Sequence, residues 1–155
     1  MAEFQTHKND ITKTRLVSAG DKLEDFTLSD GEILVAIERF AFTANNVTYG
    51  AVGEQIGYWQ FFPPSLSRED DTDWGLVPVW GFASIVASKN SDMELGERFY
   101  GYFPMANFLK MTPTRVTAER LVDGAAHRAE LPAVYNSYDR LGSGANHATA
   151  DGMRA

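Results

Sequence analysis

The sequence contains no cysteine. Disulfide bonds, thiolate nucleophiles and cysteine-ligated zinc sites are therefore excluded, and the absence is consistent with a cytoplasmic location. The histidines, His7, His127 and His147, lie far apart in the sequence. They do not form the close ligand pairs that are typical of metal sites, so we expect no bound metal.

Long apolar runs and an excess of basic residues are also missing. No apolar stretch of about 18 residues is present, so we expect no membrane-spanning segment. The N-terminus is polar and mixed in charge, unlike a secretory signal. The formal net charge of −7 at pH 7 would repel a phosphate backbone on average. We therefore expect a cytoplasmic protein that binds neither membranes nor nucleic acid.

Familiar catalytic patterns are absent as well. Ser84 lacks the Gly-x-Ser-x-Gly spacing of a nucleophile turn. Asp70 and Asp71 belong to an acidic run, residues 68–74, that lacks the ordered spacing of a calcium loop and is typical of a solvated loop. The sequence therefore leaves the catalytic residues unknown.

What is present is a series of short apolar segments with Gly and Pro at their ends. The strongest covers residues 32–42, where five apolar residues follow one another without a break, as in a strand covered on both faces. Together these segments predict a mainly β fold, a barrel or a sandwich with short helices, over residues 12–118. Residues 1–11 are predicted to be flexible.

The sequence pattern changes from strand-like to partly helix-like after residue 118. Residues 119–141 predict a helical appendage, with Pro132 in the first turn of a helix over about 133–141. Residues 142–155 are small, polar and rich in Gly and Ala, and we expect a flexible tail.

Two asparagines follow the strongest strand. Asn45 and Asn46 can offer a donor and an acceptor to a carboxamide or carbonyl, or can simply begin a helix and a turn. Thr48 and Tyr49 can donate hydrogen bonds to a developing enolate oxygen, or can be surface residues without a role.

An aromatic group comes next, comprising Tyr58, Trp59, Phe61 and Phe62. It allows three interpretations. The rings can wall a pocket for a flat conjugated substrate, form a satellite hydrophobic cluster that holds a long loop, or remain exposed as a surface for a partner.

Two stretches carry a family resemblance. "GEILVAIERFAFTANNVTYG" resembles the segment of medium-chain dehydrogenases/reductases in which a core strand leads to Gly-x-Asn-x-x-Asp and a short helix. "VPVWGFASIVASKNSDMELGERFYGYF" resembles the next segment of those enzymes, which ends in Gly-Asp-Arg-Val-x-Gly and stands here at residues 96–101. The resemblance covers about residues 14–118. It implies the GroES-like, partly open β-barrel that is the substrate domain of that superfamily, in the zinc-independent, quinone-oxidoreductase-like branch or an uncharacterised bacterial family related to it.

The resemblance also implies site residues. In quinone-oxidoreductase-like members an Asn, an Asp three residues later and a nearby Tyr line the nicotinamide side of the cleft. Asn45 matches the Asn, Thr48 stands at the Asp position, and Tyr49 is one place early. The resemblance thus implies cofactor contacts for these residues. Under the pocket interpretation of the aromatic group, we expect Asn46, Tyr58, Trp59, Phe61 and Phe62 to form the substrate pocket.

The nucleotide-binding half of such enzymes is not apparent. Its fingerprint needs closely spaced glycines between a strand and a helix, whereas "GSGA" at residues 142–145 comes after a predicted helix. Residues 131–141 resemble the first helix of that second domain. We therefore expect no cofactor in this chain alone, and NADPH in a complete family member.

These observations lead to two functional expectations. The first is the substrate-binding domain of a zinc-free, NADPH-dependent oxidoreductase-like protein, inactive alone, that takes a small conjugated carbonyl compound such as an enone or quinone. Its partner would be a second copy or a separate nucleotide-binding chain. The alternative is a non-enzymatic binding or assembly module that oligomerises through strand edges and the aromatic loop, or a truncated protein without independent function.

Overall fold

The computed structural model describes residues 1–19, 23–66 and 71–142. Asp70 and the predicted tail beyond residue 142 lie outside the described residues. The strands are β1 (Ala2–His7), β2 (Asp10–Ser18), β3 (Ile33–Ala41), β4 (Trp74–Gly75), β5 (Pro78–Ser88), β6 (Arg98–Pro104), β7 (Phe108–Met111), β8 (Pro113–Val116), β9 (Arg120–Asp123) and β10 (Ser137–Leu141). The helices are α1 (Ala44–Ala51) and α2 (Gly53–Ile56), with 3-10 turns at Leu23–Asp25, Tyr58–Gln60, Ala126–Arg128 and Ala133–Asn136.

Seven strands form one antiparallel, barrel-like sheet in the order β7-β3-β5-β6-β10-β9-β8. Its two edge strands, β7 and β8, are joined by Thr112 alone, so the sheet must curl until it is nearly closed. The amide of Thr112 donates to Asp123 Oδ1 at 2.9 Å, and its carbonyl accepts from the Gly124 amide at 2.8 Å. The predicted mainly β, barrel-like fold with short helices is confirmed.

The barrel interior is apolar. β3 lies between β5 and β7, and Ile33, Leu34 and Val35 are fully buried, as the unbroken apolar run predicted. The interior cluster consists of Ile33, Val35, Ala83, Ile85, Met93, Phe99, Phe103, Met111, Leu121 and Tyr138.

The predicted flexible N-terminus is wrong. Residues 2–7 form β1, the middle strand of a three-stranded sheet in the order β2-β1-β4. Its polar side chains are buried because they find partners. Gln5 donates to Glu3 and accepts from Arg15, and Glu3 accepts from Ser65. Buried polar groups that are hydrogen-bonded cost little, so polar composition did not imply exposure here.

The predicted helix over residues 133–141 is also wrong. Only a 3-10 turn follows Pro132, and β10 then fills the space between β6 and β9. The ring of Tyr138 lies over Gly101, where a Cβ would collide with it. A tertiary fit of this kind overrides local helix preference, so residues 119–141 are mainly strand and 3-10 turn.

Candidate functional site

An aromatic layer covers the outer face of β5 and β6. Directly opposed residues of antiparallel strands project to the same side. The register places Trp80 opposite Tyr102 and Phe82 opposite Tyr100. Phe99 and Phe103 project to the other side, into the barrel interior. The same two strands therefore carry the barrel core on one face and an aromatic surface on the other.

Four tyrosines and one tryptophan assemble on this outer face, and we call them the tyrosine cluster: Tyr49, Tyr58, Trp80, Tyr102 and Tyr135. Tyr102 forms its floor, with ring centroids 4.7 Å from Tyr135 and 5.0 Å from Trp80. Tyr49 of α1 lies 4.5 Å from Tyr58 between centroids. Tyr102 is fully buried, whereas the other members are only partly buried. The cluster therefore reaches the surface.

The hydroxyl groups of the cluster are incompletely used. Tyr58 and Tyr135 lie 3.2 Å apart between hydroxyl oxygens. Each hydroxyl carries one hydrogen and this contact uses one of the two, so the other remains available to a ligand. Trp80, which can only donate, hydrogen-bonds to the hydroxyl of Tyr49 and leaves the Tyr49 hydrogen available too.

The hydroxyl of Tyr102 is buried and has no hydrogen-bond partner among the described residues. Burial raises its pKa far above the usual range, and the neighbouring phenols of Tyr49, Tyr58 and Tyr135 raise it further. Burial likewise raises the pKa values of Tyr58 and Tyr49. These three phenols therefore stay protonated near neutral pH, and a protonated phenol can donate a hydrogen bond to a carbonyl oxygen.

The two predicted amide side chains of helix α1 lie in different environments, since Asn46 is buried and Asn45 is exposed. The side chain of Asn46 is buried and completes a capping box with Thr43, because its Oδ1 accepts from the Thr43 amide at 2.7 Å. Its Nδ2 donates to the Pro78 carbonyl at 2.9 Å. This amide ties α1 to β5. Its place in a substrate pocket stays a prediction, and its burial favours the helix-capping interpretation.

Asn45 and Thr48 lie on the exposed side of α1. The Thr48 hydroxyl donates back to the Ala44 carbonyl at 3.3 Å, which leaves only weak capacity for another partner. Asn45 lies one helical turn before Tyr49, a spacing that puts both on one face of the helix. Of the three predicted cofactor contacts, Asn45 and Tyr49 thus lie together.

The predicted aromatic wall divides between two environments. Trp59 is buried against Gly53 and Gly75, where any Cβ would collide with its indole ring. Phe61 and Phe62 are also buried, and Phe61 packs edge-on against Tyr102 at 5.3 Å. Trp59 packs with Val77, Val79 and Met105, whereas Phe61 and Phe62 pack with Leu76 and Tyr102, so the three rings belong to two hydrophobic clusters. Of the four predicted aromatics, Tyr58 is the one that is only partly buried at the site.

A buried ion pair beneath the site was not predicted. Arg128 pairs with Asp123, both almost fully buried, and its Nη1 donates to the Tyr138 hydroxyl at 3.0 Å. That hydroxyl donates in turn to the Tyr102 carbonyl at 2.7 Å. Burial raises the pKa of Tyr138 to about 12, although the Arg128 cation opposes the shift. No local pattern in the sequence marks these three residues, because strand pairing brings them together.

Metal-ligand clusters and membrane-spanning helices are both absent from the described residues. In residues 1–19, 23–66 and 71–142, no three or more His, Asp or Glu side chains gather as metal ligands would. His7 packs edge-on against Trp74, His127 contacts the Phe61 carbonyl, and His147 lies outside the described residues. Across the same three ranges, every helix falls short of the length and apolarity needed to cross a membrane.

Comparison with known proteins places the chain in a family. A family model described as a protein of unknown function, DUF2855, matches residues 40–155, which is most of the chain and includes α1 and the whole tyrosine cluster. No curated protein matches the sequence. The chain belongs to the DUF2855 family.

Proposed function

We propose that the chain binds a flat, conjugated carbonyl compound against the tyrosine cluster, as the substrate-binding domain of a zinc-free oxidoreductase-like protein. An enone or a quinone has the required shape and chemistry. The GroES-like, medium-chain dehydrogenase/reductase relationship remains part of this proposal. It accounts for the order of a core strand, the Asn45 segment and the glycine corner at residues 96–101.

The observation that carries the proposal is the pair of unused phenolic hydrogens at a partly exposed aromatic surface. One belongs to Tyr49 and the other to the Tyr58–Tyr135 pair. Aromatic rings provide the flat apolar contact, and the hydrogens provide donors for one carbonyl oxygen. Donors fixed in place before binding stabilise negative charge on that oxygen as a conjugated carbonyl is reduced.

NADPH itself does not fit the described residues. A pyrophosphate site of this superfamily requires a glycine-rich turn between a parallel strand and a helix. Every strand pairing within the described residues is antiparallel. Our proposal for this chain is therefore limited to holding and polarising the carbonyl compound, with Asn45 on the side where a cofactor would approach.

The experiment is a titration of the purified chain with menadione, a two-ring quinone, followed by quenching of tryptophan fluorescence. The absence of cysteine removes thiol addition to the quinone. We expect saturable quenching, and an affinity about tenfold weaker in the Tyr58→Phe/Tyr135→Phe double variant, because hydrogen bonds to the carbonyl are lost. Tyr100→Phe, the same change outside the cluster, should leave the affinity unchanged. Equal affinities in all three proteins would refute the proposal.

A second titration addresses the cofactor. We expect no saturable binding of NADPH by this chain alone, monitored by the fluorescence of the reduced nicotinamide. Tight binding would contradict the proposed division of roles between this chain and a nucleotide-binding partner.

The alternative function, an assembly module, has some support of its own. β2 is a nine-residue edge strand in its sheet, and Leu16 within it is 70% exposed. Phe40 and Phe42 are also exposed, at the end of β3. Such surfaces suit a second copy of the chain, whereas Trp59, Phe61 and Phe62 of the aromatic loop are buried and would not contribute. Sedimentation at low micromolar concentration tests this function, since a monomer counts against it.

A further inference from the structure

A separate cavity of about 350 Å³ opens between the N-terminal sheet, β7 and the segment after Phe62. Phe26, Phe62, Leu76, Phe108 and Leu109 form its apolar walls. Phe26 and Phe108 are in ring contact, with centroids 5.4 Å apart. None of the partly exposed members of the tyrosine cluster lines it. It is therefore a second site, distinct from the one proposed above.

The acidic group in this cavity is already satisfied. Glu3 is 1% exposed, and its Oε1 accepts from the amide and hydroxyl of Ser65 at 3.0 and 2.6 Å. Its Oε2 accepts from Gln5 Nε2 and from the Leu66 amide at 2.8 and 3.3 Å. Two carboxylate oxygens have about four lone-pair positions, so Glu3 offers no free acceptor to a ligand. A ligand amine would have to break one of these bonds.

The basic group at the cavity has capacity to spare. The Lys110 side chain is 49% exposed, and its Nζ lies 3.5 Å from Glu32 Oε1. Glu32 is held independently, because its Oε2 accepts from the Ser29 amide at 2.7 Å. An ammonium group has three donors. Lys110 can therefore donate to a ligand anion without releasing Glu32.

The histidine at the cavity, His127, can offer a ring nitrogen to a ligand as a hydrogen-bond acceptor. The Nε2 of His127 lies 2.9 Å from the Phe61 carbonyl oxygen, which can only accept. Nε2 therefore carries the hydrogen in the neutral ring. Lys110 is therefore the lining side chain that we assign to a ligand anion.

We propose that this cavity binds an aromatic carboxylate, with its ring system between Phe26, Phe62 and Phe108 and its carboxylate at Lys110. At about 30 Å³ for each non-hydrogen group, as in liquid water, the volume admits roughly a dozen such groups. A naphthalene carrying one carboxylate has this size. The three phenylalanines supply flat contact surface and Lys110 supplies the charged hydrogen bond.

The test compares three probes of one shape, namely naphthoate, naphthol and naphthylmethylamine, by ligand-observed NMR with the purified chain. Naphthoate should bind most tightly. Lys110→Gln should weaken naphthoate about fivefold and leave naphthol unchanged, because only the charged contact is removed. Lys89→Gln is the matched control and should change neither affinity.

A second variant locates the site. Thr27 lines the rim of the cavity and is exposed, so Thr27→Trp should fill the cavity without disturbing the core and abolish binding of naphthoate. Menadione binding at the tyrosine cluster should survive in this variant, which separates the two sites. The proposal is overturned if the amine binds most tightly, if naphthol equals naphthoate, if Lys110→Gln has no effect, or if Thr27→Trp still binds.

Discussion

Two tyrosines on neighbouring strands are equally buried and differ completely in how their hydroxyls are used. Tyr138 and Tyr102 are both inaccessible to solvent. The hydroxyl of Tyr138 accepts from Arg128 and donates to the carbonyl of Tyr102 itself. The hydroxyl of Tyr102 has no partner among the described residues. One phenol joins the parts of the barrel, and the other leaves a polar group unsatisfied next to the candidate site.

The Tyr138 hydroxyl is thus a structural group, whereas the Tyr102 hydroxyl remains available to bind a ligand. A satisfied buried hydroxyl contributes about 1 kcal/mol to stability, whereas an unsatisfied one costs roughly 1–3 kcal/mol. Phenylalanine at position 102 would pack the same ring without that cost. The unpaired Tyr102 hydroxyl, with the unused hydrogens of Tyr49 and the Tyr58–Tyr135 pair, is what we would expect beside a bound carbonyl oxygen.

The largest effect on stability is expected from losing the Arg128–Asp123 ion pair, which supports Tyr138. Arg128→Ala should lower the free energy of unfolding by about 3–5 kcal/mol, because it leaves Asp123 charged and buried without its partner. Urea denaturation followed by tryptophan fluorescence measures the loss. Arg120→Ala is the matched control, since the Arg120–Asp139 pair is 58% and 30% exposed and should be worth less than about 1 kcal/mol. Similar losses of unfolding free energy in both variants would show that burial does not determine how much an ion pair contributes to stability.

Alkaline pH should weaken the fold by the next largest amount. The pKa of Tyr138 is raised from 10.0 to about 12 in the folded chain. Between these values the unfolded chain loses the proton while the folded chain keeps it, so stability that is complete below pH 10 falls as the pH rises. The slope should be about 1.4 kcal/mol per pH unit for each such tyrosine.

The raised pKa values of Tyr102 and Tyr58 act in the same direction. Denaturation series at several pH values above 10 measure the slope. Tyr102→Phe and Tyr138→Phe should each reduce it. A free energy of unfolding that stays constant through this range would mean that the phenols ionise in the folded chain as they do in water.

Tyr138→Phe should have a smaller effect at neutral pH. The change leaves Arg128 Nη1 and the Tyr102 carbonyl without their shared partner, and buried groups left unpaired cost roughly 1–3 kcal/mol. The ring still fills the space over Gly101, so no packing loss is added. Thermal unfolding by circular dichroism provides the measurement, and an unchanged midpoint would remove the structural role given to this hydroxyl.

The sequence predicted those parts of the fold that depend on neighbouring residues. The unbroken apolar run beginning at Ile33 predicted a strand covered on both faces, and it is a central strand of the barrel. The prediction for residues 1–11 was wrong because the partner that satisfies Glu3 is Ser65, on a distant loop. The helix predicted after Pro132 was wrong because β10 is fixed by β6, where Gly101 makes room for Tyr138.

The candidate site was predicted in part for the same reason. The composition of the segment that carries Tyr49 and Tyr58 predicted a site there. Trp80, Tyr102 and Tyr135 did not, because only the register of β5 with β6 and the position of the turn after Pro132 bring them together. Alternating aromatics at Tyr100 and Tyr102 were the one available signal of an aromatic strand face.

Tyr102→Phe should have the smallest effect on stability and the most informative sign. Because it removes an unsatisfied hydroxyl and keeps the ring, the free energy of unfolding should stay the same or rise by about 1 kcal/mol. Affinity for menadione should fall in the same variant. Opposite changes of stability and affinity are expected for a group that serves binding at the expense of stability. Chemical denaturation and the quenching titration, run on one preparation beside Tyr138→Phe, measure both quantities. A loss of stability as large as that of Tyr138→Phe would show that the Tyr102 hydroxyl is satisfied, and the contrast between the two tyrosines would disappear.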